Sequence, residues 1–479
     1  MPPSPTPRKK HILIIGAGIA GLCFALQILT HAHDYYTISV FEKTPGPDAN
    51  AGFCIILPPN AVRILRELGL DLVAEDCATP LTHTRLHSAS GETLLEARGL
   101  FPRDPTSLLT VERGKFVALL LRQLQRRGAL VNWDRKVIGV LSAPDGVEVR
   151  FRDAPSVTAD LCVGADGTWS GVRKALYSGR PAWLPKPTRW TALYGISPVE
   201  ESATEMLRLY LRRGAPGAYA TYSLSRGRVF WICYESSTPS SPLGDPEETL
   251  REFEYLPYGP AGFGHVINRA ETTPRKVRLW HTVFATTADV HGVVVLIGDA
   301  AHPQTTFVGQ GAARGIEEGA ELRRHLLRAA WAPEHSLRAA VTAFAQASAP
   351  RSRRVAGAGW WAGAAVMGDW AWSRWARDAA VRWIVRAERK RQQQQQQQQV
   401  HARIRAAKGN PSRKQRQNKR EHWLLDYRVL VETEEEFCRA RAAQQQRRRR
   451  GRRWMCAALA CAALLLAAAM ASCSGQIDG

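Results

Sequence analysis

The chain has no C-x-x-C pair and no even cysteine framework: its nine cysteines (Cys23, Cys54, Cys77, Cys162, Cys233, Cys438, Cys456, Cys461, Cys473) are scattered over 479 residues. That scatter argues against a disulfide-stapled scaffold and suits buried thiols in a reducing compartment. His11, His31 and His33 have no second ligand at metal spacing, so no metal site is expected. The first ten residues, MPPSPTPRKK, contain no apolar run, and no cleaved secretory signal is expected there. Acidic residues are few, 43 against 65 Lys and Arg, and a net charge of +22 raises the question of a nucleic-acid partner. The excess is local. From Pro350 onward 27 Lys and Arg face 10 Asp and Glu, a net of +17, which leaves only +5 for everything before. That front part has no zinc spacing, recognition helix or RNA-binding aromatic strand, so no nucleic acid is expected as a partner.

What the chain does have is apolar residues, 45% of the total, enough to bury a large core in two or three domains. The run ILII at 12–15 has no polar face, as a strand covered on both sides requires. Glycines follow it, and Leu22, Ala25, Leu26 and Leu29 then recur at helical spacing. YTISVFEK supplies the second strand of a β-α-β unit. LPPNAVRILRELGL and RGKFVALLLRQLQRRG read as amphipathic helices, while RLYLRRG and GAYATYSLSRGRVFWICY alternate like antiparallel strands with one solvated face. VVVLIGD is again fully apolar, with a helix expected from about Gly311. The expected fold is therefore α/β: a Rossmann-like dinucleotide domain assembled from 10–75, 105–180 and 285–350. An antiparallel-sheet substrate domain, 76–104 and 181–284, is inserted between those segments.

Three further segments are expected: a Trp-rich helical stretch (351–390), a basic, Gln-rich linker (391–453) and an apolar segment (454–474). Residues 454–470 carry no polar side chain, and eight of these 17 are alanines. As a helix they span about 25 Å, so four more residues are needed to match a hydrocarbon core of roughly 30 Å. The expectation is a single transmembrane helix, with the preceding arginines keeping the globular part cytosolic. The alternative is a buried or disordered Ala-rich helix on a cytoplasmic protein. Trp360, Trp361, Trp370, Trp372, Trp375 and Trp383 either pack in a core or lie at a lipid interface.

Gly16, Gly18 and Gly21 form G-x-G-x-x-G between the first strand and its helix. The first glycine permits the tight turn, the second lets backbone approach a pyrophosphate, and the third lets strand and helix pack closely. Glu42 ends the second strand, where an acid accepts hydrogen bonds from both ribose hydroxyls of an adenosine and repels a 2′-phosphate; FAD or NAD is expected rather than NADP. Asp166-Gly167 follows another apolar strand, with Ser170 and Arg173 behind it. By pattern alone that is a strand-turn-helix boundary.

GAGIAGL with FEK, GADGTWSGVR, and GDAAHPQTTFVGQGAARGIEEG stand in the order and rough spacing of the single-component FAD-dependent monooxygenases. The chain resembles that superfamily, which includes p-hydroxybenzoate and salicylate hydroxylases, over about residues 10 to 355. AGFCIILPPNAVRIL, ALYGIS and GRVFWICY look most like the fungal secondary-metabolism branch that epoxidises terpenoid side chains. The resemblance implies the p-hydroxybenzoate hydroxylase fold, FAD as cofactor and NAD(P)H as co-substrate. O2 would add at the flavin C4a, and one oxygen atom would pass to a hydrophobic terpenoid, meroterpenoid or aromatic substrate.

It also implies roles. Glu42 would bind the adenosine ribose, and Gly52 and Arg113 would contact FAD. Asp166, in the second family motif, would also bind the cofactor. Asp299 would hold ribityl or ribose hydroxyls, and Gly309, Gln310, Gly311 and Ala312 would lie along the isoalloxazine ring. A reduced flavin carries negative charge near N1 and the C2 carbonyl, and small residues before a helix N-terminus suit that charge. Tyr219 falls near a substrate-facing tyrosine of related enzymes and is the candidate catalytic residue, with Tyr222 the alternative because the gap is ambiguous by two or three residues. His302 reads as a structural donor closing its loop. Two positions depart from the family: Thr306 stands where proline is usual, and Ala313 where the terpenoid branch often has asparagine. The competing readings are a soluble salicylate-type phenol hydroxylase and a non-catalytic flavin-fold binding protein.

Overall fold

The computed structural model describes residues 8–47, 53–87, 91, 93–98, 108–177, 183–199, 206–211, 217–258, 262–271, 273–284, 287–331, 336–368, 375 and 379. The first apolar run forms the strand Lys10–Ile15, central in a five-stranded sheet ordered Val294–Leu296, Leu161–Gly164, Lys10–Ile15, Tyr36–Phe41, Val131–Asn132. All four joins are parallel. Ile12, Leu13 and Ile14 have no exposed surface, as a strand paired on both edges and covered on both faces must.

The helices are α1 (Ile19–His31), α2 (Pro59–Glu67), α3 (Arg113–Arg126), α4 (Gly171–Leu176), α5 (Pro246–Glu254), α6 (Gly264–Ile267), α7 (Gly311–Trp331) and α8 (Leu337–Met367). Side chains alternate along a strand, so Ile12 and Ile14 enter a core with Leu22, Phe24, Phe116 and Ile316 from α1, α3 and α7. Leu13 and Ile15 enter a second core on the opposite face. Its far wall is a three-stranded antiparallel meander, Val137–Ala143, Gly146–Phe151 and Ala154–Ala159.

The inserted sheet has seven strands, ordered Arg275–Trp280, Pro187–Pro198, Arg228–Ser236, Ala218–Leu224, Met206–Leu211, His83–His87, Thr93–Arg98. Every join is antiparallel except Met206–Leu211 with His83–His87. Its two faces have different neighbours. Trp190, Tyr194, Tyr222, Phe230 and Tyr234 pack towards Phe53, Phe307 and the end of α8. Leu193, Tyr210, Tyr219, Trp231 and Cys233 pack under Phe253, Phe263 and Val266 of the α5–α6 region. The result is a Rossmann-like parallel-sheet domain with an inserted sheet domain.

The membrane expectation is corrected. Among the described residues no helix is long and apolar enough to cross a membrane. The expected span at 454–474 lies outside the described residues, and the membrane-anchored reading, with the membrane as partner and location, is withdrawn. The longest described helix, α8, has 31 residues but carries Arg338, Arg351, Arg353 and Arg354. It packs along α7 as part of the globular fold. Within the Trp-rich stretch, Trp360 lies against Trp190 at a ring separation of 4.9 Å. Trp361 and Trp375 are exposed, whereas Trp370, Trp372 and Trp383 fall outside the described residues. The five described cysteines, Cys23, Cys54, Cys77, Cys162 and Cys233, are all free and buried.

Candidate active site

The glycine turn uses its three glycines differently. Gly16 has φ +108°, and a Cβ there would lie 2.5 Å from the Ala165 carbonyl oxygen. A Cβ on Gly21 would lie 2.0 Å from the Gly16 oxygen, so strand and helix meet only without side chains at these points. At Gly18 a Cβ would find no protein atom within 4 Å. Its missing side chain keeps space open over the start of α1, where no side chain caps the helix and no acid occupies the first turn. The first N-H groups and the positive end of the helix dipole face that space, which suits a pyrophosphate. Glu42 reaches the turn from the neighbouring strand. Its carboxylate accepts from the Ala17 N-H at 2.9 Å and the Thr44 N-H at 3.1 Å.

The second wall comes from the far end of the chain. After the strand Val294–Leu296, Gly298 turns with φ +59°, and Gly298–Ala300 makes one 3-10 turn. Cβ atoms added to Gly298 and Gly315 would stand 3.1 Å and 2.9 Å from the Ala20 Cβ. The Asp299 turn and the start of α7 thus abut α1 at Ala20, between Gly18 and Gly21. Asp299 has exposed surface although it lies deep within the protein, as a side chain lining an open slot does. Burial pushes its carboxyl above the usual range, while the His302 charge and a Thr168 hydrogen bond pull the other way. Arg113, the first residue of α3, is close enough for its charge to act on both Asp299 and Tyr194.

Asp166 has a structural task on one oxygen: Oδ2 accepts from the Gly171 and Val172 N-H groups at 2.7 and 3.2 Å, capping α4. Its Oδ1 is buried with no partner. Gly309 is left-handed (φ +62°), and a Cβ on Gly311 would again meet nothing within 4 Å. Gln310 is buried beside them; its Oε1 accepts from Asn60 Nδ2 at 3.3 Å, and its Nε2 has no partner. Ala312 lies in the first turn of α7. Gly52 is outside the described residues. Two open glycine positions, two helix N-termini and the orphaned buried polar atoms on Asp166 and Gln310 make up a set of groups that fits FAD.

Beneath the loop lies a buried ionic cluster. Glu318 Oε2 accepts from the Gly298 N-H at 2.8 Å, and Oε1 accepts from His302 Nε2 at 2.6 Å and Ser348 Oγ at 2.8 Å. Since an ionised carboxylate only accepts, His302 Nε2 carries the hydrogen. Arg314 lies 3.1 Å from Glu318 and 3.2 Å from Glu317, and Arg351 of α8 also bonds Glu317. Burial opposes ionisation of Glu318, but the His302 and Arg314 charges, with hydrogen bonds from His302 and Gly298, outweigh it and hold the carboxyl at about 2. Sequence reasoning singled out His302 alone in this set. The pattern R-x-x-E-E in α7 was the available signal, since an arginine meets acids three and four residues on along one helix face.

The two tyrosines of GAYATYSL point to opposite faces of the inserted sheet. Tyr219 stacks on Tyr210 at 4.5 Å and donates to the Pro257 carbonyl at 2.5 Å, under the α5–α6 cover and away from the loop at 303–311. Tyr222 shares the loop-facing side with Phe230 and Tyr234. Tyr234, unnoticed in the sequence, places its hydroxyl 3.1 Å from Thr306 Oγ1 and its ring 4.7 Å from that of Phe307.

Residues 9–352 match the FAD binding domain family. The chain belongs to that family. It is a single-component FAD-dependent monooxygenase, an oxidoreductase whose relatives take electrons from NAD(P)H. Among curated relatives, the 3-amino-4-hydroxybenzoate 2-monooxygenase of Streptomyces cremeus is 30% identical over 349 residues, covering 69% of this chain and 82% of the relative. The salicylate hydroxylase of Pseudomonas putida is 26% identical, covering 66% and 76%. The crystal structure of Klebsiella pneumoniae HpxO complexed with FAD and uric acid superposes with a TM-score of 0.68 at 20% identity, covering 79% of this monooxygenase and 95% of that chain. At that identity the likeness concerns the fold.

Proposed function

We propose that this monooxygenase hydroxylates a small hydrophobic aromatic compound, consuming one O2, one NAD(P)H and one proton to give the hydroxylated product, NAD(P)+ and water. The observation that carries the reading is the aromatic face of Trp190, Tyr194, Tyr222, Phe230 and Tyr234 turned towards the loop at 303–311. A flat aromatic ring is well matched by such a wall. The two relatives named above carry hydroxybenzoate and salicylate in their names, which supports the same reading. The comparisons do not single out the terpenoid-epoxidase branch expected from the sequence.

FAD, when bound, would supply the activation of O2. The chain's residues have simpler tasks. Gly18 and the N-terminus of α1 receive the pyrophosphate, Glu42 the ribose, and Asp299 with Arg113 the middle of the cofactor. Gly309, Gly311 and Ala312 let backbone approach the ring, and the N-terminus of α7 stabilises charge there. The aromatic wall excludes water and holds the substrate ring. On this reading Tyr222, rather than Tyr219, faces the substrate.

The test uses the purified full chain with FAD. With NAD(P)H and 2-naphthol, oxygen consumption should rise above the substrate-free rate and a dihydroxynaphthalene should accumulate. An isoprenoid alkene such as squalene converted to its epoxide, with aromatic compounds left unchanged, would overturn the reading.

A further inference from the structure

We infer that Thr306, held by Tyr234, is a specificity-determining residue that selects substrates presenting an oxygen atom, phenols above all, over plain hydrocarbons. The inference rests on the aromatic-hydroxylase reading and narrows it. Thr306 opens the short turn Thr306–Val308, directly before Gly309. Its neighbour Thr305 is 1% exposed, yet Thr306 itself is exposed. Tyr234 comes from the opposite wall, the strand Arg228–Ser236, and is 5% exposed. Their hydroxyls, 3.1 Å apart, bridge the sheet and the loop where the ring of a substrate would lie.

Two hydroxyls hold two O-H donors and four lone pairs. The bond between them uses one donor and one lone pair, so the pair keeps one O-H and three lone pairs for a third group. Thr306 is the member a ligand can reach. Burial pushes the Tyr234 phenol up to about 12, against a pull from the Thr306 hydrogen bond, so it stays protonated at neutral pH. A hydrocarbon laid against the pair strips away its water and returns nothing, whereas a phenol replaces that water with a hydrogen bond.

The experiment measures equilibrium binding to the FAD-loaded full chain, without NAD(P)H, from the perturbation of the flavin visible band. The probes are 2-naphthol and naphthalene, which differ by one hydroxyl. The wild type should prefer 2-naphthol by about 10- to 100-fold. Thr306→Val keeps the shape and removes the hydroxyl; Tyr234→Phe does the same from the other wall. Each should bring the preference close to unity, the double variant should go no further, and Thr306→Ser should retain it. FAD content and melting temperature, read on every variant, show that the fold is intact. A preference that survives Thr306→Val in FAD-loaded protein overturns the assignment while leaving the aromatic reading intact, and so does a wild type with no preference. Failure of both probes to bind the wild type overturns the aromatic reading and this inference with it.

Discussion

Replacing Glu318 by glutamine tests whether the buried ionic cluster holds the Asp299 turn in place. Five groups converge on this carboxylate: the Gly298 N-H, His302, Arg314, Ser348 and Ser352, with the side chain 1% exposed. Removing one member of a buried ion pair costs about 3–5 kcal/mol, because its partners stay behind without water. The depressed carboxyl is a second route to the same figure. Holding the carboxyl at about 2 instead of 4.5 corresponds to on the order of 3 kcal/mol at neutral pH. The sign follows from the depressed value. Between 2 and 4.5 the unfolded chain binds the proton that the folded chain refuses, so this stabilisation is complete above 4.5 and lost as pH falls towards 2. Roughly 2 kcal/mol of it is gone by about pH 3. Urea unfolding of the FAD-loaded protein, followed by tryptophan fluorescence, should show Glu318→Gln weaker than wild type by about 3 kcal/mol at neutral pH, the two converging in acid. FAD should also dissociate from the variant more readily, since Gly298 precedes Asp299. A gap below about 1 kcal/mol, or one that stays constant from about pH 5 to pH 3, would refute the reasoning.

Glycine substitutions should separate folding from cofactor binding. Gly18→Ala, whose Cβ meets no protein atom within 4 Å, should melt like wild type without FAD but bind FAD at least about tenfold more weakly by fluorescence titration. Gly21→Ala, with its Cβ 2.0 Å from a backbone oxygen, should lower apoprotein stability by about 1–3 kcal/mol or more. Glu42→Gln should weaken FAD binding by about tenfold, since a neutral amide accepts ribose hydrogen bonds less strongly and its NH2 end can no longer accept one of the Ala17 and Thr44 N-H bonds. Tyr219→Phe should cost about 1 kcal/mol of stability, through the lost bond to Pro257, and leave the product formed per NAD(P)H unchanged. Tyr222→Phe should lower that ratio, with the difference appearing as hydrogen peroxide.

The N-terminal β-α-β unit was legible because its information is local. An apolar run without a polar face, three glycines at fixed spacing and an acid after the next strand each follow from residues within a few turns of one another. The late glycine-rich stretch was legible for the same reason. The ionic cluster was harder to see, because Glu317 and Glu318 find Arg351, Ser348 and Ser352 on another helix, and Asn60 from a third. Thr306 stood out in the sequence as a departure, but its partner Tyr234 lies on a strand far away in the chain.

The tyrosine pair marks the same boundary. Side chains alternate along a strand, so the sequence already fixes that Tyr219 and Tyr222, three residues apart, look to opposite faces. Which face meets the loop at 303–311 depends on where α5 and α6 settle, and that is decided by packing between distant segments. The sequence by itself determined the strand order of the first unit, the open glycine turn and the expectation of FAD, since backbone sterics and hydrophobic periodicity act at short range. Only the tertiary structure decided which polar groups share a buried cluster and which aromatic wall faces the loop, because burial and charge pairing depend on neighbours that chain order does not reveal.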